Sequence, residues 1–494
     1  MPLDLEITQL GSPALEFGGP GHFTDQKTGL IQAGPFDLRF GAAHRSQVRV
    51  GLVGPSDMVQ KAQQWYSRCQ GTITSGNDNL AQYPPFYGFK SIFHSALVLD
   101  DRWIVEFSES KQELTKALEM KPRPRFEKVL SFYERATERL SKMQNRPDVI
   151  VCCVPENVAR TCWSISQDLS PAQRRAVKKE SERTKMGQLS FFEGWEPEET
   201  PEDLLSRDFR RALKARAMQH RMPIQIGRDH LFVDSPNNQD PATRAWNMSV
   251  ALYYKAGGIP WRLKVDGPQT CYVGVSFHHM KTTRRHLVHA SIAQAFSSDG
   301  DGFAIRGDLV PWRPEQGRNV HLTEAQAVRL GEQILGAYTE LTGSEPRRIV
   351  IHKTSRFEEP EIKGFKAALS QVPIVELINL APTMFRLVQY GAYPPQRGTL
   401  CMVNGGAFLF TTGFMPEWDT YPGPHIPSPV RLASPGPIDA IRAANEVLGL
   451  TRMNWNTASN TSGQPVTLRF ARRVGGIMAE CGTSNPEPSM RYYM

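Results

Sequence analysis

The seven cysteines, Cys69, Cys152, Cys153, Cys162, Cys271, Cys401 and Cys481, form no CxxC pair and no zinc-type spacing. That argues against a zinc module, and so scattered an odd set fits a reducing compartment better than a disulfide framework. No stretch approaches the roughly 18 uninterrupted apolar residues of a membrane span. The start, MPLDLEITQL, has neither the basic nor the apolar region of a secretory signal, so the expected location is cytoplasmic. There is no P-loop, no GxSxG, and no GxGxxG following a strand, which leaves phosphate-loop NTPases, serine hydrolases and dinucleotide enzymes without their signatures. Internal repeats and low-complexity tracts are absent too.

What is present is a chain of 494 residues, 40% hydrophobic and 9% aromatic, enough for more than one sizeable core. Its net charge of +8 favours a polyanionic partner, of which nucleic acid is the commonest. The first 45 residues, rich in Gly and Pro, read more as loop than as regular structure. After them SQVRVGLVGP reads as a buried strand and SDMVQKAQQWYSRC as a helix. FEKVLSFYERATERLSKMQ is amphipathic at helical spacing, and PDVIVCCVPE supplies a continuous apolar strand of the kind buried in a parallel sheet. A polar, charged stretch between about 165 and 200 reads as a solvated insertion helix and an acidic loop. A helix (202–220), a short strand (223–226) and a helix (241–256) follow, the last ended by Gly257, Gly258 and Pro260. Strands alternating with helices imply an α/β layer fold with a largely parallel sheet.

From about residue 263 the pattern changes. TCYVGVSFHHM, HLVHASIAQAF and DGFAIRGDLV read as an antiparallel meander, followed by the helix TEAQAVRLGEQILGAYTEL, strand RRIVIHK, helix PEIKGFKAAL and strand PIVELINL. Asn404-Gly405 between two apolar runs marks a hairpin. Two helices near 437–449 and 465–479 come last. A meander entering a mixed sheet covered by helices is an RNase H-like layout, with the boundary expected near Pro260 to Pro268.

The chemistry concentrates around that boundary. Arg210 and Lys214, at i and i+4, share one helical face and can reach one point. Gln225 can offer amide donors from a strand end, and Lys255 sits in a last helical turn, where a cation complements the helix dipole. Several convergent donors suit a terminal phosphate. Each residue alone also fits a solvated face or a cap; their combined spacing points to a phosphate.

From FRRALKARAMQHRMPIQI through ALYYKAGGIPW to YVGVSF, the chain resembles the short prokaryotic Argonautes, which contain only MID and PIWI domains. The resemblance continues through RRIVIHK, RGTLCMVNGGAFLFTTG, MNWNTAS and PVTLRFARRVGG, and is weaker in FTDQKTGLIQAGPFD and VRVGLVGPSD near the start. It implies a Rossmann-like MID domain with an N-terminal extension over residues 1–262 and an RNase H-like PIWI domain over 263–494. It also implies that Arg210, Lys214, Gln225 and Lys255 bind the 5′-phosphate of a guide strand. Arg210 departs from the family's more usual His or Tyr; a guanidinium still binds phosphate but lacks an aromatic face for the first base. In the family the C-terminal carboxylate turns back to this pocket and helps hold Mg²⁺ on the guide phosphates, a role that would fall to Met494.

The same resemblance locates a nuclease site that has lost its ligands. Two-metal hydrolysis needs clustered anionic oxygens. The expected carboxylate positions carry Ser276 in YVGVSF, Thr354 after VIHK, and Arg472 in FARRVGG. The resemblance therefore implies a catalytically inactive, guide-dependent sensor, with the guide an RNA and the target complementary single-stranded DNA. Its output would come from a partner chain with a PAZ-analogue domain fused to a TIR, sirtuin-like or nuclease module, in a cytoplasmic heterodimer serving anti-plasmid or antiviral defence. The absence of PAZ and N domains from the 494 residues agrees with a need for such a partner. The alternative is a metal-dependent, guide-directed nuclease with a displaced site using Asp299, Asp301, Asp308 or Glu358. His278, His279, His286 and His289 cluster around a turn with Lys281, Arg284 and Arg285, and read as a basic turn near nucleic acid in preference to a metal site.

Overall fold

The computed structural model describes residues 4–107, 111–162, 208–264, 267–281, 286–293, 302–311, 320–388, 390, 394–422, 426–459, 462–481 and 486–494. Two sheets organise it. The first is parallel and four-stranded, in the order β4 (Ala96–Glu106), β3 (Gln47–Gly54), β5 (Val149–Val154), β6 (Ile224–Arg228). Every residue of β5, VIVCCV, is buried, as a strand covered on both faces requires. Helices Pro122–Ser141 and Phe209–Gln219 build one covering core, in which Phe126, Tyr133 and Phe209 meet edge to face. Helices Ser56–Arg68 and Pro241–Lys255 cover the other face.

The second sheet has nine strands. Its centre is β8 (Thr270–Lys281), β11 (Arg348–Lys353) and β12 (Ile374–Pro382), mutually parallel. The meander β8, β9 (His286–Ala293), β10 (Ala304–Pro311) extends one side antiparallel, as its alternating apolar runs predict. On the other side stand β15 (Val430–Ala433), β14 (Gly406–Leu409) and β13 (Thr399–Val403). Asn404 and Gly405, which join β13 to β14, both have positive φ (47° and 77°), the conformation a two-residue hairpin turn requires. Helices Glu324–Thr342 and Glu359–Ala368 pack on one face; Ala440–Leu450 and Val466–Glu480 lie on the other.

Three features depart from the sequence reading. Residues before 46 are not mainly loop: β1 (Leu5–Gln9) pairs with β13 at the edge of the nine-stranded sheet, and helix Gln26–Ala33 follows. A division at residue 262 therefore separates the two sheets but not the chain's first strand from the second of them. The short strand β15 was not anticipated either; four residues are too few to show a period. Helix Phe209–Gln219 has its described start at Asp208, whose side chain caps Arg211 N, whereas the expected insertion helix and acidic loop at 165–200 lie outside the described residues.

One core cluster spans both sheets, joining Val50, Trp65 and Tyr254 to Trp455, Phe470 and Met494. At the junction Trp261 Nε1 donates to Arg452 O and Trp455 Nε1 donates back to Trp261 O, each at 3.1 Å, so both of these buried indole N–H groups are met. Gly274, in mid-β8, lets helix Val466–Glu480 lie directly on the sheet: a Cβ there would stand 2.1 Å from Thr467 O. This contact brings the helix's arginines against helix Phe209–Gln219.

Candidate phosphate-binding site

Arg210, Lys214, Gln225, Lys255 and Met494 line one cavity of about 250 Å³, together with Arg228, His230 and Asn456. Five residues singled out from sequence, spread over nearly 300 positions, meet at one point. Helix Phe209–Gln219 brings Arg210 and Lys214, the edge strand β6 brings Gln225, and Lys255 closes helix Pro241–Lys255. The last residues dock into this place: Tyr493 and Met494 are fully buried, and Tyr493 Oη donates to Glu487 O at 2.9 Å.

The cations are deeply placed. Lys214 is 3% exposed and Lys255 2%. Lys214 Nζ donates to Met494 O, an oxygen of the terminal carboxyl group, and Lys255 Nζ to Gln225 Oε1. Gln225 Nε2 gives one of its two hydrogens to Ile226 O at 3.2 Å, while its Oε1 orients Lys255. No Asp or Glu side chain lines the cavity. Burial, reinforced by the neighbouring cations Arg210 and Arg473, pulls the Lys255 ammonium down to about 7. Burial with Lys255, Arg210 and Arg473 pulls Lys214 well below the ordinary lysine value. Arg473 itself is drawn down to about 10 by burial and by Arg210, and its buried Nη1 finds no hydrogen-bond partner among the described residues. A cluster of buried cations that outnumbers its counter-charges is costly unless an anion joins it.

Arg473, Arg228, His230 and Asn456 escaped the sequence reading. For Arg473 a signal existed. Arg469 and Arg473 stand four apart in LRFARRVGG, the same pattern that exposed Arg210 and Lys214.

The second candidate region lies in the middle of β8 and just past the end of β11. The register pairs Val275 with Lys353, so Ser276, mid-strand, lies level with Thr354, the residue that follows β11. Arg472 is on helix Val466–Glu480, which packs across β8; its side chain lies outside the described residues. Thr354 is exposed, and its carbonyl accepts from Asn379 Nδ2 at 2.9 Å. The neighbouring cation, Lys353, is buried and ion-paired: its Nζ lies 2.6 Å from Glu361 Oε2, above the rings of Phe277 and Phe357. Of the alternative acids, Asp308 accepts from Arg329 Nε at 2.6 Å, and Glu358 caps helix Glu359–Ala368 in a capping box with Glu361. Asp299 and Asp301, like Arg284 and Arg285 of the basic turn, lie outside the described residues. The main chains of His278 and His289 pair in the β8–β9 ladder, but their side chains and those of His279 and His286 are likewise outside. Among the described residues no group of three or more His, Cys, Asp or Glu could hold a metal ion.

Gln225 Oε1 and Met494 O already accept from lysines, and the lysine and arginine side chains of the lining, Arg210, Lys214, Arg228 and Lys255, face no Asp or Glu there. The chemistry of the cavity is that of an anion receptor.

No family model matches the sequence, and no curated protein matches it. Solved structures do. The Argonaute of Clostridium butyricum, bound to a guide DNA and a 19-mer target DNA, superposes with a TM-score of 0.60 at 14% identity, over 98% of this chain and 54% of that one. Drosophila Piwi (TM-score 0.56, 12% identity) and Aa-Ago with externally bound siRNA (0.55, 14%) each match 99% of this chain and 56% of their own. The chain thus has the MID–PIWI fold of the Argonaute and Piwi proteins, and spans about half the length of the solved structures it matches.

Proposed function

We propose that this protein anchors the 5′-phosphate of a small guide strand, RNA in our reading, and uses it to recognise a complementary DNA target. The observation that carries this reading is the convergence of Arg210, Lys214 and Lys255, with Arg473 close enough to act on both lysines, on one cavity that no Asp or Glu side chain lines. A phosphomonoester brings up to two negative charges and several acceptor oxygens to such a place. The fold adds weight: two of the matched structures, the Clostridium Argonaute and Aa-Ago, are of complexes with nucleic acid. Base pairing would supply sequence specificity while the protein reads backbone and shape.

Target cleavage is not part of the proposal. Ser276 and Thr354, neutral residues level with one another on neighbouring strands, offer no bridging carboxylate for a metal pair. The output falls to an associated effector chain, an NAD-consuming or nuclease module with a PAZ-analogue domain, in a defence role. Mixing guide-loaded protein and effector with matched or mismatched target, and following NAD or bystander DNA, tests that step. Activation by matched target alone supports it, and target cutting by the purified chain with Mn²⁺ overturns the inactive reading.

The anchoring step is tested by the affinity for a short single-stranded RNA with and without its 5′-phosphate, for wild type and for Lys214→Ala with Lys255→Ala. A phosphate-dependent gain of about ten-fold or more, roughly 1.4 kcal/mol, that disappears in the double variant is the expected result. Equal binding in all four cases would leave only a basic surface.

A further inference from the structure

A second cavity, of about 230 Å³, opens where strands β5 and β6 begin. Its donors are five arginines from four places in the chain: Arg45 and Arg49, Arg146, Arg221 and Arg491. They face only two hydrogen-bonded carboxylates. Asp148 grips Arg49 through both oxygens (Nη2–Oδ1 2.8 Å, Nε–Oδ2 3.2 Å) and Arg45 Nη1 at 3.1 Å. Glu487 holds Arg221 Nε at 2.8 Å. Asp148 therefore fixes two guanidinium planes without neutralising the group, and Arg491 Nε is buried with no hydrogen-bond partner among the described residues.

Arg221 adds an independent sign. It follows the capping His220 of helix Phe209–Gln219 with a φ of 50°, the left-handed conformation that favours glycine at the end of a helix. A non-glycine residue there carries a backbone cost of about 1 kcal/mol. The arginine held at that cost has a largely exposed side chain at the cavity wall, ion-paired through Nε with Glu487.

We propose that this cavity is a second anion site, built for a ligand that carries two or more adjacent phosphate groups. Planar guanidinium forks match phosphate oxygens in pairs, and five of them around a small, polar concavity exceed what one carboxylate or one phosphomonoester uses. The polar lining gives an acidic peptide no apolar anchor. Two sources share this chemistry, a free polyphosphate such as a nucleoside triphosphate and the backbone of a nucleic-acid strand. The site is distinct from the first cavity: Ala256 and Arg491 line this one, while Lys255 and Met494 line the other, and the proposal does not rest on the guide-anchoring reading.

Pyrophosphate is the probe, titrated by calorimetry into the whole chain, as wild type and with the first cavity silenced by Lys214→Ala and Lys255→Ala. Saturable binding should persist in the silenced protein and weaken about ten-fold or more with Arg146→Ala plus Arg491→Ala. Arg221→Gly should weaken it several-fold while leaving the melting temperature unchanged or higher, because glycine relieves the backbone. Absence of saturable binding, or binding indifferent to these arginines, overturns the proposal. Displacement by RNA lacking a 5′-phosphate identifies the strand backbone as the ligand, and displacement by ATP alone identifies a free polyphosphate. Displacement by neither also overturns it.

Discussion

Lys255 and Lys353 are both buried lysines at the ends of regular elements, yet the fold treats them in opposite ways. Lys353 sits 2.6 Å from a Glu361 carboxylate that also accepts from Leu322 N at 2.9 Å, so its charge is matched within the protein. Lys255 donates to the neutral amide oxygen Gln225 Oε1, and the groups around it that carry charge include the cations Arg210 and Arg473. A matched buried charge holds structure; an unmatched one awaits a ligand. The two ends of the same molecule thus differ in what they are ready to do, one closed and one receptive.

The sharpest way to break this comparison is to remove each lysine in turn. Lys353→Ala leaves Glu361 buried without its counter-ion and should cost about 3–5 kcal/mol. Lys255→Met removes an unfavourable buried charge and should leave denaturant stability equal or higher. Chemical denaturation of the two variants checks both signs, and equal losses would erase the distinction. Next in size is binding. Lys214→Ala with Lys255→Ala should lose about ten-fold or more of the affinity for 5′-phosphorylated RNA, whereas Lys353→Arg should lose little; filter binding with both oligonucleotides separates the cases.

A smaller effect concerns pH. In the free protein Lys255 loses its proton near 7, and a bound anion must raise that value. Affinity therefore holds below about 7 and declines as pH climbs above it, while phosphate ionisation near 6 weakens binding on the acid side. Titration from pH 5.5 to 9 should find an optimum between roughly 6 and 7, and Lys255→Met should flatten the alkaline limb. The smallest expected effect is that of metal removal. Chelation with EDTA should change the phosphate-dependent affinity less than about two-fold, since the cavity's cations already supply the opposing charge.

Much of this was legible in the sequence where one local rule sufficed. Arg210 and Lys214 at helical spacing, the Asn404-Gly405 hairpin and the all-apolar β5 each carry their pattern within a few residues. Convergence was legible only in part. Gln225 and Lys255 could be placed by their distance along the chain, but the orientation of the Gln225 amide depends on Lys255 and Ile226 O. Strand β1 could not be placed, because its partner begins some 390 positions later and nothing in LEITQ names it. The arginine cavity was invisible for the same reason: five arginines from four segments meet only after the parallel sheet and the last helical turn have formed.

The most direct test of the unmatched-charge account is proton uptake on binding. Calorimetry of 5′-phosphorylated RNA at pH 7.5, in buffers of different ionisation enthalpy, reads the number of protons taken from solution. The account predicts a net uptake of about one proton by the wild type and markedly less by Lys255→Met. Tight, phosphate-dependent binding with no uptake, or with release, would contradict it.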